Sequence, residues 1–153
     1  MDKKFGVYIC TGCGIGEALD VDGLTGIADE YKMTAKTHEA VCSEAGRQQI
    51  KDDIANEGVN TVVICACSPR VWKEEFDFGQ GIITTRGNLR EGAVWSMEKP
   101  SEGRDEETIA EYTNELAQDY VRLACTQAQK TDIPEAFEQE ITNRRILVMG
   151  GGM

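Results

Sequence analysis

The sequence predicts an α/β fold: a three-layer, doubly wound sheet of about four parallel strands with flanking helices, and a long helix after it. Two patterns carry this reading. Short apolar runs alternate with helix-length amphipathic stretches, as in a chain that crosses back after each strand. The strongest run, Thr61-Val62-Val63-Ile64-Cys65-Ala66, is apolar without alternation, as suits a parallel strand covered on both faces. A chain of 153 residues is also long enough to bury a core of its own.

Phe5-Gly6-Val7-Tyr8-Ile9 is the first strand and ends at Cys10. A glycine-rich turn follows from Thr11 to Gly16, then a helical stretch from Gly23 to Tyr31. Ala35 to Val41 is the second strand, weakened by Lys36, His38 and Glu39, and it ends at Cys42. Ser43 is placed to cap the next helix, whose Ile50 and Ile54 share a face, and Gly58 stops it. The third strand, Thr61 to Ala66, ends at Cys67; Ser68-Pro69 then predicts a short helix through Trp72. Gly81 to Thr85 is the fourth strand. A long helix runs from Arg104 to Lys130, with Ile109, Tyr112, Leu116, Tyr120 and Leu123 on one stripe.

The last stretch differs. Arg145 to Met149 reads as a new strand running into Gly150, Gly151 and Gly152, as a dinucleotide-binding βαβ unit begins. The expected organisation is therefore residues 1–133 as one α/β domain. Residues 134–153 would be a linker and the truncated first strand of an FAD- or nicotinamide-binding Rossmann domain, the rival being a flexible glycine tail.

Composition narrows the function. A formal net charge of −11 repels phosphate backbones, which argues against nucleic acid. No apolar run approaches the roughly 20 residues of a spanning helix, so no direct membrane insertion is expected, and cytoplasmic is the default location. The acids gather in Glu102, Asp105, Glu106, Glu107, Glu111, Glu115 and Asp119, either a solvated helix face or a docking face for a basic redox partner.

Six cysteines in such a chain point to metal or redox chemistry more than to disulfides. Parallel topology gathers the carboxyl ends of strands along one edge, which brings Cys10, Cys42 and Cys67 together, and Cys13 can join them from its turn. Four thiolates suit a [4Fe–4S] cluster or a structural zinc. A redox dithiol at Cys10-x-x-Cys13 and inert core thiols remain alternatives. Backbone N–H groups at Gly12, Gly14 and the Pro69 helix start would favour a cluster, since they stabilise its negative charge. Cys65 and Cys125 read as packing residues, His38 as a strand residue, and Trp72 and Trp95 as core or partner-contact aromatics. Gly12, Gly14 and Gly16 are spaced G-x-G-x-G, which is not the dinucleotide fingerprint.

Tyr8-Ile9-Cys10-Thr11-Gly12-Cys13-Gly14, Val41-Cys42-Ser43, Ala66-Cys67-Ser68-Pro69-Arg70 and Asn88-Leu89-Arg90-Glu91 occur in that order along the chain. In this the sequence resembles the N-terminal domain of the A-type subunit of heterodisulfide reductase and its homologues, over essentially its whole length. Within that family it looks most like the B-type subunit of the quinone-interacting membrane-bound oxidoreductase complex of sulfate reducers. The resemblance implies an electron-transfer domain with a [4Fe–4S] cluster at Cys10, Cys13, Cys42 and Cys67. It also implies FAD in the full-length protein, whose motif would begin at Gly150, Gly151 and Gly152. The partners implied are the other subunits of the complex and adenylylsulfate reductase, with the membrane reached only through partner subunits. Many family members have a shorter Cys-x-Cys in place of Cys10-x-x-Cys13. Arg70, Arg90 and Glu91 would either position the loop near the cluster or form surface salt bridges. A cofactor-free docking module of the same complex, or a dithiol oxidoreductase using Cys10 and Cys13, are the competing functions.

Overall fold

The structure, a computed structural model, describes residues 2–97, 105–134 and 145–150. Strands β1 (Phe5–Cys10), β2 (Thr34–His38), β3 (Thr61–Ala66) and β4 (Ile83–Asn88) form one sheet in the order β2-β1-β3-β4. Every pairing is parallel. The chain moves outward to β2 and then back past β1 to β3, so the winding reverses between β1 and β3. The carboxyl ends of those two strands therefore frame a crevice.

Register assigns the faces. Lys36, Tyr8, Ile64 and Arg86 stand in one row across all four strands. Neighbouring rows point the other way. On the opposite face lie α2 (Val21–Glu30) and α4 (Glu106–Lys130), which pack against each other and against the sheet. Thr85, from that face, donates its hydroxyl to the Ala124 carbonyl at 3.2 Å. The face bearing Tyr8 is covered by α3 (Glu44–Asp52) and the π-helical turn Asp53–Glu57 that continues it. The result is the expected three-layer, doubly wound arrangement, with Val7, Ile9, Val62, Val63 and Ile64 wholly buried in the middle layer.

Local chemistry explains the ends of these elements. The Ser43 hydroxyl accepts from the Gly46 amide at 3.1 Å and caps α3, while Gly58 takes a left-handed φ of 72° and stops the turn after it. Asp105 caps α4 by accepting from the Thr108 amide at 2.9 Å. Lys36, an unfavourable residue for a half-buried strand, is satisfied by Asp53 at 2.7 Å and Glu57 at 2.9 Å. The other oxygen of Asp53 accepts from the buried Tyr8 hydroxyl at 2.8 Å.

Five expectations need correction. First, β2 ends at His38, not at Cys42. The His38 ring nitrogen Nδ1 accepts from the Ala40 amide at 2.9 Å and bends the chain into a turn. Second, β4 runs from Ile83 to Asn88, later than expected, because Gly79 and Gly81, with φ of 89° and 88°, belong to the preceding turn. Third, Ser68-Pro69 opens turns and not a helix. Trp72 adopts a left-handed φ of 56°, which a helix cannot continue through. Fourth, the buried stripe of α4 is the small-residue set Thr113, Ala117, Val121, Ala124, Cys125 and Ala128, whereas Tyr112 and Leu123 are exposed. Small residues let the helix come close to the sheet: a Cβ built on Gly87 would lie 3.5 Å from that of Ala124. Fifth, residues 145–150 carry no regular secondary structure, and Ile146, Leu147, Val148 and Met149 are exposed. Gly150 has a φ of 102°; Gly151 and Gly152 lie outside the described residues.

Candidate metal centre

All four cysteines expected at the site line a single cavity of about 210 Å³ at the carboxyl edge of the sheet. Its other walls are Ile15, Ala66, Trp72, Phe76 and Arg90.

Each cysteine arrives by a different route. Cys10 is the last residue of β1, buried, with its sulfur donating to the Glu39 carbonyl at 3.6 Å. Cys13 is exposed in the turn beyond, at a left-handed φ of 55°, and Gly14 follows at 81° as the cap of α1 (Ile15–Ala18). A non-glycine residue in that region costs about 1–2 kcal/mol, so the turn is held open by its surroundings. Cys42 comes from the turn after β2. That turn is fastened to the first one: the Thr11 amide donates to the His38 carbonyl at 3.0 Å. A Cβ on Gly12 would overlap the Glu39 carbonyl, so glycine is what permits the approach. Cys67 directly follows β3 and is buried.

Two arginines serve this edge. The terminal nitrogens of Arg86 donate to the carbonyls of Cys67, Ser68 and Val71, each at 3.3 Å, and one of them lies 3.8 Å from the Cys67 sulfur. Arg90 pairs with Glu91 at 2.7 Å, and its guanidinium lies 4.7 Å above the Trp95 ring. Glu91 in turn accepts from the Ser68 amide at 2.6 Å, so Glu91 holds the loop after Cys67 while also pairing with Arg90. Arg70, by contrast, is exposed. Burial pushes the Cys67 thiol upward, while Arg86 and Arg90 pull it back toward the thiolate. Burial holds the Arg86 guanidinium below its usual range, and Cys67 opposes that drop. The Glu91 hydrogen bond raises Arg90, with a smaller contribution from Cys13.

The remaining candidates are elsewhere. Cys65 and Cys125 are wholly buried between β3 and α4, their thiols pushed up by burial, Cys125 to about 11. His38 shapes its turn and does not line the cavity. Sequence reasoning missed Arg86; a lone cation in the half-buried positions of β4 was the available signal. It also missed the strained Trp72, which lines the cavity.

The donor set fits an iron–sulfur cluster. It is four sulfurs without carboxylate or imidazole, in an apolar cavity with cations beside it. Its volume is roughly seven times the ~30 Å³ a water occupies in the liquid. Among the described residues, no three His, Cys, Asp or Glu side chains converge closely enough to hold a single metal ion. By donor chemistry alone, four thiolates suit either a four-iron cluster or a single zinc.

Fold and cavity together define a parallel α/β domain with a four-thiol site at the winding reversal. No protein-family model matches the chain. Curated proteins do. It is 32% identical, over 99% of its length, to the A-type subunit of the H(2):CoB-CoM heterodisulfide,ferredoxin reductase of Methanothermobacter marburgensis. It is 30% identical to the second of the A-type iron-sulfur subunits of CoB–CoM heterodisulfide reductase in Methanopyrus kandleri, again over 99% of its length. A protein of Archaeoglobus profundus, named as similar to the A-type subunit of heterodisulfide reductase, shares 28% identity over the same fraction. Over nearly its whole length the chain is thus similar to the A-type subunits of heterodisulfide reductase, which supports an assignment to a family of that kind. It spans 23%, 23% and 22% of the length of these three relatives.

Proposed function

We propose that this chain is an electron-transfer segment of an oxidoreductase, holding a [4Fe–4S] cluster through Cys10, Cys13, Cys42 and Cys67. The observation that carries the reading is one cavity lined by four cysteines from four separate points of the chain. A cluster there supplies one-electron chemistry, its potential set by charge, hydrogen bonding and exposure. The protein's part is to bury three of the four thiols partly or fully, keep Cys13 near the surface, and set Arg86 and Arg90 beside the sulfurs. No acid–base or nucleophilic step is assigned to it. The relatives are named as heterodisulfide reductase subunits, one of them as an iron-sulfur subunit, which supports an electron-transfer oxidoreductase with other subunits as partners.

Within that class we assign the chain to a complex linking membrane quinone to adenylylsulfate reductase, on the resemblance to the B-type subunit of the quinone-interacting oxidoreductase. FAD belongs, on the same ground, to the full-length protein. Among the described residues, no helix is long and apolar enough to cross a membrane, consistent with reaching quinone through partner subunits.

Anaerobic reconstitution with iron and sulfide tests the cluster. About four irons and four acid-labile sulfides per chain are expected, lost on changing Cys10, Cys42 or Cys67 to Ser. Folded chain with free thiols that takes up neither iron nor sulfide would end the proposal.

A further inference from the structure

The row Lys36, Tyr8, Ile64, Arg86 carries a cation at each edge of the sheet, and the two are treated differently. Lys36 is neutralised by Asp53 and Glu57. Arg86 is half-buried, and among the described residues no carboxylate forms an ion pair with it. Glu91 acts on its charge from a distance without pairing with it; a desolvated cation without a direct ion pair is costly, so its position needs a reason. Carbonyls supply part of it: the terminal nitrogens bind the Cys67, Ser68 and Val71 oxygens and reach the Cys67 sulfur. Phe76 supplies more, with its ring 4.6 Å below the guanidinium. Nε is buried without a hydrogen-bond partner among the described residues. The group thus gives up one bond to keep its fork on the loop. The helix expected after Pro69, whose dipole would have faced the sulfurs, is absent; Arg86 stands at that loop in its place.

We propose that Arg86 is a positioning and charge-compensating residue of the thiol cavity. Its fork pins the Cys67–Val71 loop so that Cys67 lines the cavity, and its charge balances the negative charge of a thiolate-bound group held there. The second half rests on the cluster reading; the first does not. Lysine keeps the charge but is a single point donor that cannot span three carbonyls, so Arg86→Lys and Arg86→Gln separate the two roles.

Both variants of the full chain are made. In the metal-free chain, alkylation by N-ethylmaleimide is followed cysteine by cysteine. Cys67 is expected to react about tenfold faster in Arg86→Lys, as a loop released from its anchor exposes it, and faster by a smaller factor in Arg86→Gln, where the lost cation also lowers its thiolate fraction. Cys125 should stay protected, which reports an intact core. Unchanged Cys67 reactivity in both variants overturns the positioning role. In the reconstituted chain, Arg86→Gln is expected to shift the oxidised-to-reduced ratio about tenfold at fixed poise, about 59 mV toward more negative potential for one electron. Arg86→Lys should keep the wild-type value. Equal potentials in Arg86→Gln and wild type overturn the charge role. If wild type takes up no iron, the cluster reading and the charge role fall together, while the alkylation arm still decides the positioning role. If Cys125 becomes reactive in Arg86→Gln, Arg86→Lys decides: protection of Cys67 by lysine overturns the proposal.

Discussion

Replacing Gly12 by alanine puts the architecture of the cavity to its sharpest test. The added Cβ would overlap the Glu39 carbonyl oxygen, far inside the about 3.3 Å at which carbon and carbonyl oxygen come to rest. The obstacle is backbone, so no side chain can swing aside. Forcing a group into a filled space costs about 1–3 kcal/mol. Parting the two turns also strains the bond from the Thr11 amide to the His38 carbonyl, worth about 1 kcal/mol. A loss of about 2–4 kcal/mol follows, which lowers the melting temperature of a chain this size by about 5–15 °C. Because the same turns carry Cys10, Cys13 and Cys42, iron uptake should fall with stability. The control is Gly26→Ala. Gly26 lies inside α2 with nothing within 4 Å of an added Cβ, so alanine there should stabilise by about 0.5–1 kcal/mol. Thermal unfolding followed by circular dichroism reads both. A Gly12→Ala chain melting within about 1 °C of wild type would refute the reasoning, since the two turns would then not be in contact.

Two further outcomes follow from buried groups. The Tyr8 hydroxyl is pushed above its ordinary 10.0 by burial and by Asp53, and Lys36 above its ordinary 10.5 chiefly by its hydrogen bond to Asp53. Both raised values favour the protonated form in the fold, so their stabilisation is complete below about pH 10 and is lost as pH climbs past the unfolded values. Tyr8→Phe should cost about 1.5–3 kcal/mol at neutral pH, as a hydrogen bond to a charged group does, and flatten the alkaline decline. Urea unfolding at neutral and alkaline pH measures this; an unaltered decline in Tyr8→Phe would remove the tyrosine from the account. The second concerns Cys125, raised from 9.0 to about 11, which at mildly alkaline pH leaves it about a hundredfold less thiolate than an ordinary cysteine. In the native, metal-free chain the exposed Cys13 should be alkylated far faster than the buried Cys125 or Cys65, and comparable rates would contradict the buried placement.

The winding was legible because apolar runs and helix-length stretches alternate plainly, and the unbroken Thr61 to Ala66 run marks a central strand. The gathering of Cys10 and Cys67 followed from that topology, since both sit where a strand stops. What escaped was set by contacts between distant turns. Nothing near Val41 in the sequence announces that the His38 ring will bend the strand, or that Gly12 will receive Glu39. Cys42 reaches the cavity by way of a turn, not at the end of β2. The Tyr112 and Leu123 stripe failed for a similar reason. Large apolar residues on a helix suggest a core face, but this helix lies so close to the sheet that its buried residues are Ala, Thr, Val and Cys. The role of Arg86 was hidden because its acceptors are main-chain carbonyls, which no residue type reveals; only its place as a lone cation in β4 hinted at it.

The cavity draws its sulfurs from residues 10, 13, 42 and 67, and neither crossover alone unites them. An unfolded chain keeps only the neighbouring Cys10 and Cys13 close together. Parallel pairing is a late, non-local event, because two long loops must close before any of its contacts form. On the proposed cluster reading, occupancy of the cavity would be a report on completed topology: a misregistered chain would not bring the four cysteines together and would stay colourless on reconstitution.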